Sequence, residues 1–274
     1  VSLPTILVEI AFDSNTPLFP TPTYTDVSAD LNSLTITRGR QTEQDQAQTG
    51  RASVSVLDDA YKYVNDPSSP FYPNVVPMRP LRIRAILDGL EYHRFFGWLD
   101  VNDGIVRDES LVGRSNTTFN ANDGFEILAN TKFNAAGLSC PVELTGARIA
   151  RILNNGDIGA TFPTWDPSAI WILGTGALDS TDILSVTSLF VDGGFSQMQA
   201  VTLASASTVL EGIRTAELTE PGFFFFDGEG HAVFQDRRRR FLANSVATFA
   251  DVKNPAADRV AFQSVTTRRT AMAN

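Results

Sequence analysis

Apolar and polar positions alternate in three runs between Leu34 and Val101. Leu34 and Ile36 alternate with Thr35 and Thr37; Ala52, Val54 and Val56 with Ser53 and Ser55; Leu81, Ile83 and Ala85 with Arg82 and Arg84. A period of two belongs to a strand with one buried face. Asp88-Gly89 separates the third run from Tyr92–Leu99, which carries Phe95, Phe96 and Trp98. An Asp-Gly pair in that setting predicts a tight antiparallel hairpin. Ile6, Val8, Ile10 and Phe12 predict a further strand over Thr5–Phe12, followed by a proline-rich loop from Asp13 to Pro22, and Leu111–Phe119 alternates again.

The segment between Leu57 and Leu81 breaks the pattern. Pro67, Pro70, Pro73, Pro77 and Pro80 stand among Tyr61, Tyr63, Phe71 and Tyr72. Each proline removes a ladder donor and fixes φ, so residues 60–80 form an arm outside any sheet interior. Its aromatics imply packing against something, and a loop of this length in a folded domain points to function.

The second half mixes periods. Asp123–Leu128 begins a short helix, and Leu138-Ser139-Cys140-Pro141 is a break at which we place a domain boundary, giving domains 1–140 and 141–274. Ile149, Ile152 and Leu153 share a face over Thr145–Asn154, and Asn155-Gly156 suits a helix end. Ser207–Glu217 is a third helix, with Val209, Leu210, Ile213 and Ala216 on one face and Thr208 and Glu211 spaced as a capping box. Phe223–Phe226 and Ala232–Phe234 flank Asp227-Gly228-Glu229-Gly230 and predict a second hairpin. Four consecutive phenylalanines place rings on both sheet faces, so both faces need covering. The tail Asn254–Asn274 is polar, with Arg268-Arg269, and suits an edge strand or a partner contact. The fold class expected is mainly β with a few short helices.

Composition narrows the function classes. The chain has 274 residues, 43% hydrophobic and 19% charged, which is the profile of a folded globular protein. A net charge of −9 argues against binding nucleic acid by general phosphate neutralisation. The single Cys140 excludes an intrachain disulfide framework and reads as a small buried hydrophobe. No apolar run approaches the roughly 18 residues of a bilayer span, and no signal-peptide pattern opens the chain, so a soluble protein made in the cytosol is expected.

Candidate chemistry is sparse. His93 and His231 are the only histidines and lie in separate strands, so a triad or histidine-ligated metal is poorly supplied. Asp58/Asp59 and Asp100/Asp103 sit at strand ends and read as turn formers rather than catalytic pairs. Gly174-Thr175-Gly176 and Asp192-Gly193-Gly194 lack the context and lysine of a phosphate loop and read as turns. No catalytic, cofactor-binding or metal-ligating residue is assigned, and no enzyme is expected. Arg82 and Arg84 share the polar face of their strand, beside further basic residues at Arg38, Arg40, Arg51 and Arg79. Arg237, Arg238, Arg239 and Arg240 form the sharpest charge feature, suited to solvent or to salt bridges with an acidic neighbouring subunit.

Several strings together carry a family resemblance. They are Ile36-Thr37-Arg38-Gly39-Arg40-Gln41, then Gln48 to Asp58, then Asp66-Pro67-Ser68-Ser69-Pro70-Phe71-Tyr72-Pro73 through Arg79-Pro80-Leu81-Arg82-Ile83, then Phe96-Gly97-Trp98-Leu99-Asp100. They resemble the N-terminal part of minor tail proteins of long-tailed, non-contractile phages, a family similar in pattern to tail hub proteins. Leu203–Arg238, a helix and then Gly222 to Arg237, also resembles the hub pattern. Asp58-Asp59-Ala60-Tyr61 departs from it, standing where an asparagine-containing turn is expected, and many such proteins continue into further domains. The resemblance implies two antiparallel β-barrel domains and a siphovirus tail-tip or baseplate component ringing the tail channel, in the virion, assembled in the host cytoplasm. It implies a homotrimer, or alternatively a hexamer. Its neighbours would be the distal tail protein, tail tube, tape-measure and other tail-tip proteins, with DNA in passage but no stable nucleic-acid binding. Subunit contacts are then expected at Tyr61, Tyr63, Phe71, Tyr72 and Arg79 of the arm and at Arg237 to Arg240. The alternative is a carbohydrate- or receptor-binding β module of the tail tip, stacking sugars on Trp98, Trp165 and Trp171; a cell-wall enzyme is the third and least supplied option.

Overall fold

The alternating runs fold as strands. The computed structural model describes residues 3–13, 22–40, 45–109, 115–133, 136–154, 190–239, 248–250 and 259–261. The first sheet contains β1 (Thr5–Ile10), β2 (Thr25–Asp26), β3 (Leu31–Gly39), β4 (Gln48–Leu57), β5 (Pro80–Leu87), β6 (Leu90–Leu99), β7 (Ile105–Glu109) and β8 (Ser115–Asn122). Its order is β2-β1-β5-β6-β8-β4-β3, with β7 also on β8, and every pairing is antiparallel. The expected Asp-Gly hairpin is β5–β6, with Asp88 and Gly89 both at positive φ. Strand β7 escaped the sequence reading, and the expected run from Leu111 is described only from Ser115, since residues 110–114 lie outside the described set.

The chain connectivity forces this sheet to curl. Its terminal strands β2 and β3 are joined through a single 3₁₀ turn at Ser28–Asp30. Laid flat, the seven strands of the main path, spaced about 4.8 Å apart, would hold those edges roughly 29 Å apart. The five residue steps from Asp26 to Leu31 reach about 18 Å at most. The curl is not a closed barrel, because among the described residues β3 pairs only with β4 and β2 only with β1. Inside it, Val8, Ile10, Val54, Leu81, Ile83, Phe95, Leu99 and Phe119 form one core.

The remaining elements are α1 (Gly124–Asn130), β9 (Leu138–Cys140), β10 (Glu143–Leu144), α2 (Thr145–Asn154), β11 (Phe190–Val191), β12 (Gln197–Met198), β13 (Val201–Leu203), α3 (Val209–Thr219), β14 (Phe223–Phe226) and β15 (Ala232–Gln235). The three helices expected from the sequence are these three. Both bonds of the capping box form at α3, with Glu211 N–H donating to Thr208 Oγ1 at 3.2 Å and Thr208 N–H to Glu211 Oε2 at 2.8 Å. The short strands make sheets of two and three, β9–β13, β10–β12 and β11–β15–β14, so they form no closed barrel among the described residues either. They enclose a second core that includes Trp98, Phe125, Ile149, Ile152, Ile213, Phe224 and Phe234, with Cys140 buried in it as expected. Val1–Arg237, which holds both cores, is one compact unit; Arg238–Asn274 is another, in which β16 (Thr248–Ala250) and β17 (Arg259–Ala261) pair in parallel. Asn155-Gly156, Gly174 to Gly176, Arg268-Arg269 and most of the 254–274 tail lie outside the described residues. No helix among the described residues is long and apolar enough to cross a membrane.

One strand serves both cores. Along the end of β6, Phe95 and Leu99 point into the sheet core while Phe96 and Trp98 point into the second, as a period of two requires. Gly97 lies between them against β8: a Cβ there would sit 2.3 Å from the Asn122 carbonyl oxygen. That contact is backbone and cannot swing aside, so Gly97→Ala is expected to lower stability by about 2–3 kcal/mol, the scale of core overpacking. Urea denaturation followed by circular dichroism checks this, and an unchanged midpoint contradicts it.

Candidate functional site

The residues expected at subunit contacts divide sharply once placed. The arm is anchored at its start by Asp58, which is fully buried and does more than form a turn. Its carboxylate accepts from Lys62 N–H at 2.6 Å and Thr117 Oγ1 at 3.1 Å, and pairs with Arg107 at 3.1 Å. Tyr63 and Phe71 then turn inward: their rings stack with Phe12 at 6.3 and 4.6 Å and close over the sheet core. Tyr63 O–H donates to Asp30 at 2.7 Å. Arg79 is buried, its guanidinium donating to the Asn74 carbonyl and side chain. The packing partner that the arm's aromatics call for is thus largely the chain's own sheet.

Tyr61 and Tyr72 remain outside, 54% and 48% exposed. Tyr61 has φ +55°, a region where asparagine is tolerated and a bulky residue is strained. This is the turn where the family pattern leads one to expect asparagine. The Tyr61 ring covers the Arg107 guanidinium at 4.3 Å, so the strained residue is held in place by a cation–π contact.

The arginine run also divides. Arg237 is exposed, with its guanidinium 3.7 Å from Glu220 and 5.2 Å from the Phe195 ring. Its acidic partner therefore lies in its own chain. Glu220 is buried and holds the turn before β12 against the start of α2, accepting from Phe195 N–H, Ser196 N–H and Thr145 Oγ1 at 2.8, 2.5 and 2.9 Å. Burial opposes its ionisation, but these donors outweigh it and hold its carboxyl below the usual range. Arg238 and Arg239 are half-buried, and Arg240 lies outside the described residues.

Arg82 and Arg84 are tied up on the outer face of the sheet. Glu9, directly opposite Arg82, lies 2.8 Å from it and 2.6 Å from Arg84, which reaches on to Glu91 at 2.6 Å; Tyr24 lies under Arg82. Burial raises the Glu9 pKa, yet the two arginines prevail and keep it below its ordinary value.

The structure joins what sequence reading kept apart. The β14–β15 turn packs onto β6: a Cβ at Gly228 would meet the His93 carbonyl oxygen at 2.3 Å, and one at Gly230 the Phe96 ring at 2.5 Å. This brings both histidines to Glu229, each imidazole Nε2 being 3.9 Å from one of its oxygens. His231 is buried, with Nδ1 2.6 Å from Asp227. Nothing in the spacing of either histidine signalled this meeting. Among the described residues no group of three or more His, Cys, Asp or Glu side chains could hold a metal ion.

Beside this seam lies an open cavity of about 230 Å³ between β3 and β14, lined in part by Arg38, Asp123, Asp227, Phe125 and Phe223. Asp123 caps α1 through Phe125 N–H at 3.1 Å and also accepts from Gly50 N–H at 2.8 Å. Burial pushes its carboxyl up to about 7, against the pull of those donors and of Arg38 and Arg214. Trp98 is fully buried, which removes it as a sugar-stacking platform; Trp165 and Trp171 lie outside the described residues.

No family model matches the chain, and no curated protein matches it. Among solved structures it is similar to the prophage MuSo2 43 kDa tail protein from Shewanella oneidensis, at 10% identity and a TM-score of 0.47, over 91% of this chain and 57% of that one. It is also similar to the tail protein from Neisseria meningitidis MC58, at 9% identity and a TM-score of 0.45, over 92% of this chain and 56% of that one. The chain thus spans little more than half the length of either.

Asp123 makes stability depend on pH in a definite direction. Its folded-state pKa lies above the unfolded one, so the native state binds this proton more tightly, and stability from this group grows as pH falls from about 7 towards 4. In Asp123→Asn that gain is absent. Between pH 8 and pH 5 the wild type is expected to gain roughly 2–3 kcal/mol relative to the variant, measured by urea unfolding at both values. A difference that does not change with pH contradicts the assignment.

Proposed function

We propose that this chain is a structural subunit of a phage tail tip, a hub-type minor tail protein of a long non-contractile tail whose copies ring the channel. The observation that carries the reading is the meeting of the two family-like strings. The 34–101 block and the 203–238 block are far apart in sequence, yet Gly228 and Gly230 of the second pack directly on His93 and Phe96 of the first. Two family-like strings that meet at one seam support reading them as parts of one folded unit.

A ring subunit needs rigid faces rather than a reactive site. The ion pairs of Glu9, Arg82 and Arg84 and the packed arm supply rigidity. The net charge of −9 suits a channel that lets DNA pass without gripping it. Three copies form the ring, six being the alternative, with the distal tail protein, tail tube and tape-measure protein as neighbours. Identical copies joined head to tail close such a ring. Within the arm, the contact falls to Tyr61 and Tyr72, since Tyr63, Phe71 and Arg79 are occupied within the subunit.

Deleting the arm would remove core residues, so the test uses the double variant Tyr61→Ala/Tyr72→Ala. Light scattering on the purified protein should give a trimer for the wild type and a subunit dissociation constant about 30-fold weaker for the variant, the loss of about 2 kcal/mol typical of an aromatic anchor. The melting temperature should stay close to wild type. A wild type that stays monomeric at high concentration overturns the ring; a variant that assembles as tightly as wild type removes the arm from the interface.

A further inference from the structure

The outer face of the first sheet holds a second concavity, apart from the one beside the histidine seam. Ala52 and Ala121 belong to the sheet core, so their neighbours along β4 and β8 point outward. The strand register then sets two polar rows across β3, β4 and β8. Thr35, Ser53 and Asn120 stand opposite one another, and so do Thr37, Arg51 and Asn122. Such a face is ordinarily flat and solvated. Here the turn from Asp100 to Gly104 stands beside it, and Asp100 and Asp103 complete an open cleft of about 220 Å³. Among the described residues no apolar side chain larger than alanine lines it.

The wall of the cleft is fixed in place. Asp100 N–H donates to the Asn120 carbonyl and Asn120 N–H to the Gly104 carbonyl, both at 2.9 Å, and Asn120 Nδ2 donates to the Asp103 carbonyl at 2.8 Å. Asp100 Oδ1 accepts from Asn102 N–H at 2.8 Å and Oδ2 from Asn122 Nδ2 at 2.5 Å, while Ser53 Oγ donates to Asn120 Oδ1 at 2.9 Å. Asn122 itself is buried. These bonds orient the amides and the Asp100 carboxylate before a ligand arrives, which lowers the cost of ordering them on binding. Capacity is left over. Arg51 has no hydrogen-bond or ion-pair partner among the described residues, and Asn120 Oδ1 accepts one bond of the two it can take.

The lining selects the chemistry of the occupant. Asp100 and Asp103, with Glu126 near enough to feel both, disfavour an anion. Arg51 in the same cleft disfavours a lone cation. An apolar molecule would strip water from a carboxylate and a guanidinium and return no bond to either. A neutral molecule with several hydroxyls answers all of them, because each hydroxyl donates to a carboxylate or amide oxygen and accepts from a guanidinium, amide or threonine donor. We propose that this cleft binds a neutral sugar residue, whose hydroxyls are contacted by Arg51, Asp103 and Asn120. Its volume, under the roughly 300 Å³ at which pockets for drug-sized ligands begin, suits a single ring. The proposal goes beyond the ring reading and uses none of the residues on which that reading rests.

Titration of the purified protein at neutral pH with glucose, galactose, mannose and N-acetylglucosamine tests this, with binding read by saturation-transfer NMR and by the side-chain amide signals of Asn120 and Asn122. Each sugar is taken to about 50 mM, above the millimolar dissociation constants that a few solvent-accessible hydrogen bonds supply. At least one should bind and shift those amides. Asp103→Ala and Arg51→Met should each weaken that binding about tenfold, the worth of one hydrogen bond to a charged group. The turn is held by the backbone of residue 103 rather than by its carboxylate, so the fold should persist in Asp103→Ala, and Arg51→Met gives the same reading should it not. Failure of all four sugars to bind overturns the site, and so does binding that keeps wild-type strength in both variants. Amide shifts on adding calcium chloride, with none on adding sugar, overturn it in favour of a cation site.

Discussion

Strand β6 is buried on both faces, and the rest of the molecule depends on that. A strand covered on one side needs alternate residues to be apolar; β6 near its end needs all of them, and Phe95, Phe96, Trp98 and Leu99 meet that need. The sheet core forms on one side, and α1 and the β14–β15 hairpin close over the other. Glycine is required wherever backbones meet across this strand. Gly97 lets the Asn122 carbonyl approach, and Gly228 and Gly230 let the hairpin turn reach His93 and Phe96. The aromatic string and the glycines are thus one solution to a single packing problem.

The same economy governs the charged residues. Glu9 between Arg82 and Arg84, Asp58 under the arm and Glu220 behind α2 each hold a segment by accepting from several donors while shielded from water. Such carboxylates are costly to bury alone, and the donors gathered around each offset that cost. This is why Arg82, Arg84 and Arg237 are engaged inside their own chain. Asp123 is the exception in sign: its two backbone donors and nearby arginines do not offset its desolvation.

Much of the fold was legible in the sequence. The first-sheet strands apart from β2 and β7, all three helices, both hairpins and the capping box follow from periodicity and turn chemistry, which act over a few residues. The two β-barrel domains implied by the resemblance are not seen as closed barrels among the described residues, because closure depends on whether the last strand finds the first, and no local pattern encodes that. The candidate surface was half legible. That the arm is packed could be read from its aromatics; that Tyr63 and Phe71 pack on Phe12 while Tyr61 and Tyr72 stay outside could not, since irregular backbone has no period to assign a face.

By itself the sequence determined where most strands of the first sheet, the three helices and the two hairpins lie, and that Cys140 is a buried hydrophobe, because short-range sterics and hydrophobic spacing decide these. Only the tertiary structure decided that β6 would serve two cores, that His93 and His231 would meet at Glu229, and that β3 would be left with an open edge. Each of these depends on contacts between residues dozens to more than a hundred positions apart, and those are set by which backbones can approach and which surfaces remain to be covered after the local elements have formed.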